Sequence, residues 1–425
     1  MGLVLLILTN LVFPLAALGV VLGFLLSPRR KLISHLTAEL RERFGLEEPG
    51  TLPANAIWLH CASVGEVNSV KGVISRFKEF YNKPILVTTS TQAGKEAARK
   101  NPDITAAVLA PLDFYPSCAR FMRIAQPYRL FVVEREIWPN MLEAARQHRV
   151  PYALINGRIS QKSARAYGWV RPLFKRVLSP VMFAALQSEE AAQLYARLGI
   201  PQEQILVSGN VKYDALNEHP VCTLTNTRPL AAWQGAPLLV AGSTHPAEET
   251  MLLRAANDIL KTGTKIVFAP RHLERREEIR RTLEQSGLRF VMLSEQLPTK
   301  DTVIVCADVM GQLGYLYSLA ALTFVGGSVV ARGAHNLLEP AILGKTVLFG
   351  KYFFNTPDTA QALLESGGGI LVSETNFKER ILRLLNDPQE LENTGDKARQ
   401  TALRFKGATD KIMQRVTNYE QRKTA

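Results

Sequence analysis

Glu66 supplies the one carboxylate of the stretch HCASVGEV, His60 to Val67, which follows the apolar run AIWL. Ser63, Val64, Gly65 and Glu66 spell S-x-x-E directly after a predicted strand. In the capping box that this pattern describes, Ser63 bonds the amide of residue 66 and the glutamate reaches back to the amide of residue 63. That role is purely local. The same loop follows the first strand, and Gly65 permits a tight turn that would thrust Glu66 outward, where it could remove a proton from an acceptor hydroxyl. A second acidic pair, Glu134 and Glu136 in VEREIW, stands two residues apart at the end of another apolar run. While a strand lasts they share a face and Arg135 takes the other, so the pair either borders a cleft or ends a strand in solvent.

Three loops in the second half of the chain point to a different chemistry. VFAPRH places Arg271 and His272 just past an apolar run. A guanidinium there could grip a phosphate bidentately, or could close a strand end with ERREEIRR behind it. LTFVGGS sets Gly326, Gly327 and Ser328 at another such edge, either for close backbone approach to a ligand or for a tight turn. In RGAHNLLEPAILGK, Asn336 is followed three residues later by Glu339 and then Pro340, an N-cap signature that is complete without a ligand. A helix N-terminus also suits a phosphate, and a carboxylate can hold both hydroxyls of a ribose. Three such loops together favour nucleotide binding.

Other motifs are excluded by their details. AGKE resembles the end of a P-loop, but Thr89 stands where the first glycine should be and Glu96 follows Lys95. No G-x-G-x-x-G follows the first strand, so no dinucleotide cofactor is expected. The seven histidines show no H-x-x-x-H, and only VEREIW has carboxylates at metal-ligand spacing, so no metal is assigned. Cys61, Cys118, Cys222 and Cys306 form no C-x-x-C, which disfavours disulfides and structural zinc. The net charge of +13 calls for an anionic partner: nucleic acid, anionic lipid or a phosphorylated substrate. A membrane-tethered nucleic-acid-binding protein would want interleaved aromatics and RNA-binding signatures, which are missing. Attraction to an acidic leaflet accounts for the charge more simply.

These residues need a frame, and the hydrophobic pattern supplies one. Residues 1–27 are predicted as a membrane anchor, because Leu3 to Leu26 carries no charge and is long enough to span a hydrocarbon core of about 30 Å. Arg29, Arg30 and Lys31 follow it, placing the rest of the chain on the cytoplasmic side. Asn10 and Pro14 interrupt the run, so a helix dipping into one leaflet is the alternative. Residues 28–50 read as a basic amphipathic segment. From 51 to 210, AIWLHCA, PILVTTS, AAVLAPL, LFVVERE, YALING and FAALQS alternate with helical patterns. The alternation lapses over 211–236 and resumes from 237 to 400 with PLLVAGS, TKIVFAP, RFVMLS, TVIVCAD, LTFVGGS and TVLFG. Residues 401–425 form a basic helical tail. The predicted fold class is α/β, two doubly wound Rossmann-like domains facing a cleft, with ligands beyond the carboxyl ends of the strands.

Taken in order, HCASVGEV, TTSTQAG, VEREIWPN, INGRIS, GNVKYD, AGSTHPAEE, APRH, DVMGQLGYLY, FVGGS and GAHNLLEPA resemble the motifs of the bacterial 3-deoxy-D-manno-octulosonic acid (Kdo) transferases of lipid A assembly. The resemblance implies the GT-B glycosyltransferase fold and transfer of Kdo from CMP-Kdo to the lipid A precursor lipid IVA, with inversion and without a metal, at the cytoplasmic face of the bacterial inner membrane. It implies Glu66 as the base. It implies CMP contacts at Pro270 and Arg271, at Met310, Gly311 and Gln312, and at Asn336, Leu337, Leu338 and Glu339. The implied partners are CMP-Kdo, lipid IVA and inner-membrane lipids, with no nucleic acid and no cofactor. Ser63, Gly65, Glu134, Glu136, His272, Gly327 and Ser328 are further candidates. Members often have glutamate at the place of Gln312 and threonine at that of Arg135, and many have a glycine pair where Gly333 and Ala334 stand. A carboxylate contact to the nucleotide is therefore not available at residue 312. A GT-B enzyme using another nucleotide sugar is the alternative.

Overall fold

The computed structural model describes residues 1–11, 39–46, 50–222 and 229–424. They form two α/β units, one of residues 1–215 with 406–425, the other of residues 216–405.

In the first unit β1 (Ile57–His60), β2 (Ile85–Thr89), β3 (Ala106–Leu109), β4 (Arg129–Val133), β5 (Tyr152–Gly157), β6 (Ala184–Leu186) and β7 (Ile205–Val207) make one parallel sheet, in the order β3-β2-β1-β4-β5-β6-β7. All four residues of β1 are buried, as expected of a central strand covered on both faces. Successive residues enter opposite layers. Trp58 packs with Phe121, Leu130 and Leu154, while Ile57 and Leu59 pack with Val73, Phe77 and Phe131.

The last helix, Ala408–Thr424, completes that second layer through Ala408, Ile412, Met413 and Val416. Two polar contacts fix it. Asp214 accepts the N–H groups of Gly407, Ala408 and Thr409 at 2.6, 3.2 and 2.6 Å, satisfying donors that a helix start leaves open. Arg129, only 2% exposed, grips both oxygens of Glu420 through Nε at 2.9 Å and Nη2 at 2.7 Å. Lys95, the lysine of the P-loop-like AGKE, is buried against Glu42, whose other oxygen accepts the N–H of Leu109 at 2.7 Å. It closes a structural ion pair.

In the second unit β8 (Leu238–Thr244), β9 (Lys265–Pro270), β10 (Phe290–Met292), β11 (Ile304–Cys306), β12 (Leu322–Val325), β13 (Thr346–Phe349) and β14 (Gly369–Leu371) run parallel in the order β10-β11-β9-β8-β12-β13-β14. The strands predicted from apolar runs are present in both sheets. The edge strands β7 and β14 were not predicted: each has three residues and is only partly buried, so neither carries the continuous apolar run of a central strand.

Residues 2–11 are helical. Leu6 is buried, whereas Leu3, Val4, Ile7, Leu8 and Leu11 are exposed. Asn10 bonds Asn140 Oδ1 at 2.6 Å and accepts the N–H of Tyr115 at 2.7 Å. Among the described residues no helix is long and apolar enough to cross a membrane. Most of the predicted anchor and of the basic segment after it lies outside the described residues.

Removing one member of a buried ion pair strands the other charge. Glu420→Ala is therefore expected to destabilise the first unit by about 3–5 kcal/mol, read from urea denaturation. The double variant Arg129→Met with Glu420→Leu should recover most of that loss. Equal stability of the single variant and the wild type would show that the pair holds nothing.

Candidate functional site

The strand order of each sheet reverses beside its first strand, between β1 and β4 and between β8 and β12. Open α/β sheets bind ligands at such points, and Glu66, Glu134, Glu136, Gly327 and Ser328 lie in the segments that follow β1, β4 and β12.

In the first unit Ser63 caps the helix Val64–Ser69, its Oγ accepting the N–H of Glu66 at 3.4 Å. The predicted reciprocal bond differs by one residue. The Glu66 carboxylate accepts the N–H of Ala62 at 2.6 Å, not that of Ser63. It forms no ion pair among the described residues, and it lines a cavity of about 490 Å³ with Ser63, Gly65, Glu134, Arg135, Arg158 and Lys212. Burial pushes its pKa up to about 7, opposed by the Ala62 N–H and reinforced by the charges of Glu136 and Glu134, with Arg158 acting against them. A base needs such a value to work near neutral pH.

Glu134 and Glu136 do not share a strand face as predicted. β4 ends at Val133, and Glu134 adopts φ +57°, a left-handed conformation that ends the extended chain. Glu134 takes Arg158 Nε at 2.7 Å. Glu136 takes Trp138 Nε1 at 2.8 Å and lies 3.9 Å from His60 Nε2. His60 is wholly buried and burial drives its pKa down to about 3, so its ring is neutral and brings no positive charge to Glu136. Arg158 and Lys212, which bring positive charge to the cavity, were not singled out in the sequence. The available signal was that INGRIS and GNVKYD each set polar residues directly after an apolar run. Burial and the nearby Arg158 hold the Lys212 ammonium below its usual range.

In the second unit Glu248, wholly buried, organises the ends of β8 and β12. Its carboxylate accepts the N–H groups of His245 at 3.2 Å, Gly327 at 2.8 Å, Ser328 at 3.0 Å and Val329 at 3.0 Å. The Gly327 and Ser328 donors, expected to be open to a ligand, are thus turned inward, and Ser328 is itself buried. Gly326 is required by close approach, since an added Cβ would lie 2.4 Å from the Ser243 carbonyl oxygen. Beside this loop Pro270 is buried and ends β9, while Arg271 is exposed and forms no ion pair among the described residues. His272 contacts Glu274 at 3.0 Å.

The remaining segments differ in exposure. Met310 is exposed and Gly311 turns at φ +78°, but Gln312 is buried, with Cys222 Sγ 3.5 Å from its Oε1. The helix predicted to start at Asn336 spans only Leu338–Ile342, capped by Leu337 without a side-chain bond. Asn336 Oδ1 instead accepts the N–H of Leu338 at 3.2 Å. The Glu339 carboxylate finds no hydrogen-bond partner among the described residues, and burial alone raises its pKa.

Two parallel α/β units with polar loops at the strand-order reversals define a protein built like the GT-B glycosyltransferases. The UDP-GlcNAc 2-epimerase of Neisseria meningitidis shares the fold with a TM-score of 0.61 at 15% identity, over 85% of this chain and 100% of that one. Residues 38–215 match the family described as 3-Deoxy-D-manno-octulosonic-acid transferase (kdotransferase). The 3-deoxy-D-manno-octulosonic acid transferase of Haemophilus influenzae is 30% identical over 393 residues, covering 90% of this chain and 92% of the relative. That of Chlamydophila psittaci is 32% identical over 363 residues, 83% of each chain. The chain belongs to the 3-deoxy-D-manno-octulosonic acid transferase family and is a glycosyltransferase.

The folded state raises the Glu66 pKa from 4.5 to about 7, so it binds the proton more tightly than the unfolded chain does. The contribution of this group to stability is therefore greatest below pH 4.5 and declines as pH rises to about 7. Carboxyl-carbon NMR of the protein labelled at glutamate should show one resonance with a midpoint near pH 7, absent in Glu66→Gln and shifted downward in Glu136→Gln. A midpoint at the ordinary glutamate value would contradict the assignment.

Proposed function

We propose that the protein transfers Kdo from CMP-Kdo to a sugar hydroxyl of lipid IVA, releasing CMP with inversion at the transferred carbon. The observation that carries this reading is Glu66: a buried carboxylate with no ion pair among the described residues, lining a polar cavity, its pKa raised by burial. It takes the proton of the attacking hydroxyl as that oxygen bonds to C2 of the donor sugar. The bond from C2 to the phosphate oxygen breaks on the opposite face, and the electron pair leaves with CMP.

Arg271, exposed and without an ion pair among the described residues, is suited to stabilise the departing phosphate. The helix Leu338–Ile342 is too short for a full macrodipole, so its main-chain donors are assigned a lesser share. Asn336 and Glu339 are assigned to the nucleotide, with Glu339 suited to the ribose hydroxyls. Since the Gln312 side chain is buried, Met310 and Gly311 are assigned to act through the main chain. Arg135, Arg158 and Lys212 are assigned to an acceptor phosphate.

A lipid acceptor also accounts for the N-terminal region. Leu3, Val4, Ile7, Leu8 and Leu11 present an apolar face, and the uncharged run to Leu26 is followed by basic residues. We assign this region to association with the cytoplasmic face of the bacterial inner membrane.

Incubation with CMP-Kdo and lipid IVA, followed by mass spectrometry, should give lipid IVA extended by Kdo. Glu66→Gln should lower turnover by about a hundredfold to ten-thousandfold and leave CMP binding intact. Near-normal turnover in a folded Glu66→Gln protein would return the residue to a capping role.

A further inference from the structure

The second unit brings together two histidines that the foregoing assignments leave without a task. His245 follows β8 and caps the helix Pro246–Leu260, and His335 lies in the loop before Leu338–Ile342. Their rings are nearly parallel at 11°, with Nε2 atoms 3.2 Å apart. At that separation one ring donates a hydrogen and the other accepts it, so the pair holds a single shared hydrogen. The contact is built by the surrounding loops. Glu248 fixes the main chain at His245 and at Gly327, and Gly327 backs onto His335, where an added Cβ would lie 3.1 Å from its Cδ2.

The surroundings of the pair are cationic. Arg271, Arg332, His272 and Arg275 face it, and with burial they hold both imidazoles below their usual range. The nearby carboxylates are already committed. Glu248 accepts four N–H groups, Glu249 accepts Thr244 Oγ1 and Arg275, and Glu274 accepts His272. Neither Arg271 nor Arg332 has an ion-pair partner among the described residues. A site with this charge and these uncommitted donors is arranged for an anion.

An octulosonic acid donor carries two anionic groups, the phosphate linked to the nucleoside and the carboxylate of the sugar. A guanidinium fork suits the phosphate, and two neutral N–H donors side by side suit a carboxylate. We propose that the edge shared by His245 and His335 binds the carboxylate of the donor sugar. In the free protein the two rings share one hydrogen. With donor bound, the ring that accepted changes tautomer, its own hydrogen passing from Nδ1 to Nε2, so that both neutral rings carry hydrogen at Nε2 and each donates to one carboxylate oxygen. The pair would then distinguish a sugar acid from a neutral sugar on the same nucleotide.

The inference rests on the proposed donor, and steady-state transfer by the wild type tests that separately. If the wild type makes no Kdo product, the functional reading fails and this inference fails with it. With wild-type transfer established, His335→Ala should raise the KM for CMP-Kdo by about ten- to a hundredfold, the range for one hydrogen bond to a charged group. Inhibition by CMP, which lacks the carboxylate, should change by less than about threefold on the same scale. His335→Gln, which keeps an N–H donor, should recover most of the loss. His335→Phe keeps a ring against Gly327 and gives the same readout if the alanine variant does not fold. An unchanged donor KM in a folded variant would overturn the inference. So would a rise in the CMP inhibition constant in step with it, which would assign the pair to the phosphate.

Discussion

One local constraint recurs in both units: a glutamate in the first turn of the helix after a central strand folds its carboxylate back onto main-chain N–H groups. Glu66 does so after β1 and Glu248 after β8. Burial disfavours the charged form of both, and N–H donors counter that effect. The number of donors separates their roles. Glu248 receives four, from two loops, and acts as the tie that shapes the ends of β8 and β12. Glu66 receives one from the main chain, at Ala62, and keeps an oxygen available to the cavity.

Burial sets the raised pKa of Glu66, and the charges around it adjust that value. Glu134 and Glu136 raise it further, and their effect is moderated differently: Glu134 is partnered by Arg158, whereas Glu136 accepts a hydrogen bond from neutral Trp138 and approaches a neutral His60. The left-handed turn at Glu134 is what sends these two carboxylates to different partners. Held this way, three carboxylates coexist near one cavity, and Glu66 keeps no ion-pair partner among the described residues.

Much of the fold was legible in the sequence because central parallel strands are buried on both faces and read as uninterrupted apolar runs. The edge strands β7 and β14 were not, since they lack that burial. Local patterns were read in part. S-x-x-E located the cap at Ser63, but whether Glu66 would reach residue 62 or 63 depends on the exact path of the loop. The signature at Asn336 placed a cap two residues ahead of a helix that proved to be five residues long. Long-range contacts left no local trace. Glu248 meets Gly327 across 79 positions and His245 meets His335 across 90, so neither pairing is visible in any short window. The left-handed conformation of Glu134 was equally hidden, because glutamate is not a residue type from which a positive φ is inferred.

The central claim is that Glu66 takes the proton from the acceptor, and the pH dependence of kcat/KM for Kdo transfer to lipid IVA tests it most directly. Because the base must be ionised, the rate should fall as pH drops through an apparent pKa near 7. That acid limb should move to lower pH in Glu136→Gln, where one repelling charge is gone. An acid limb at the ordinary glutamate value, or one that Glu136→Gln leaves in place, would contradict the account.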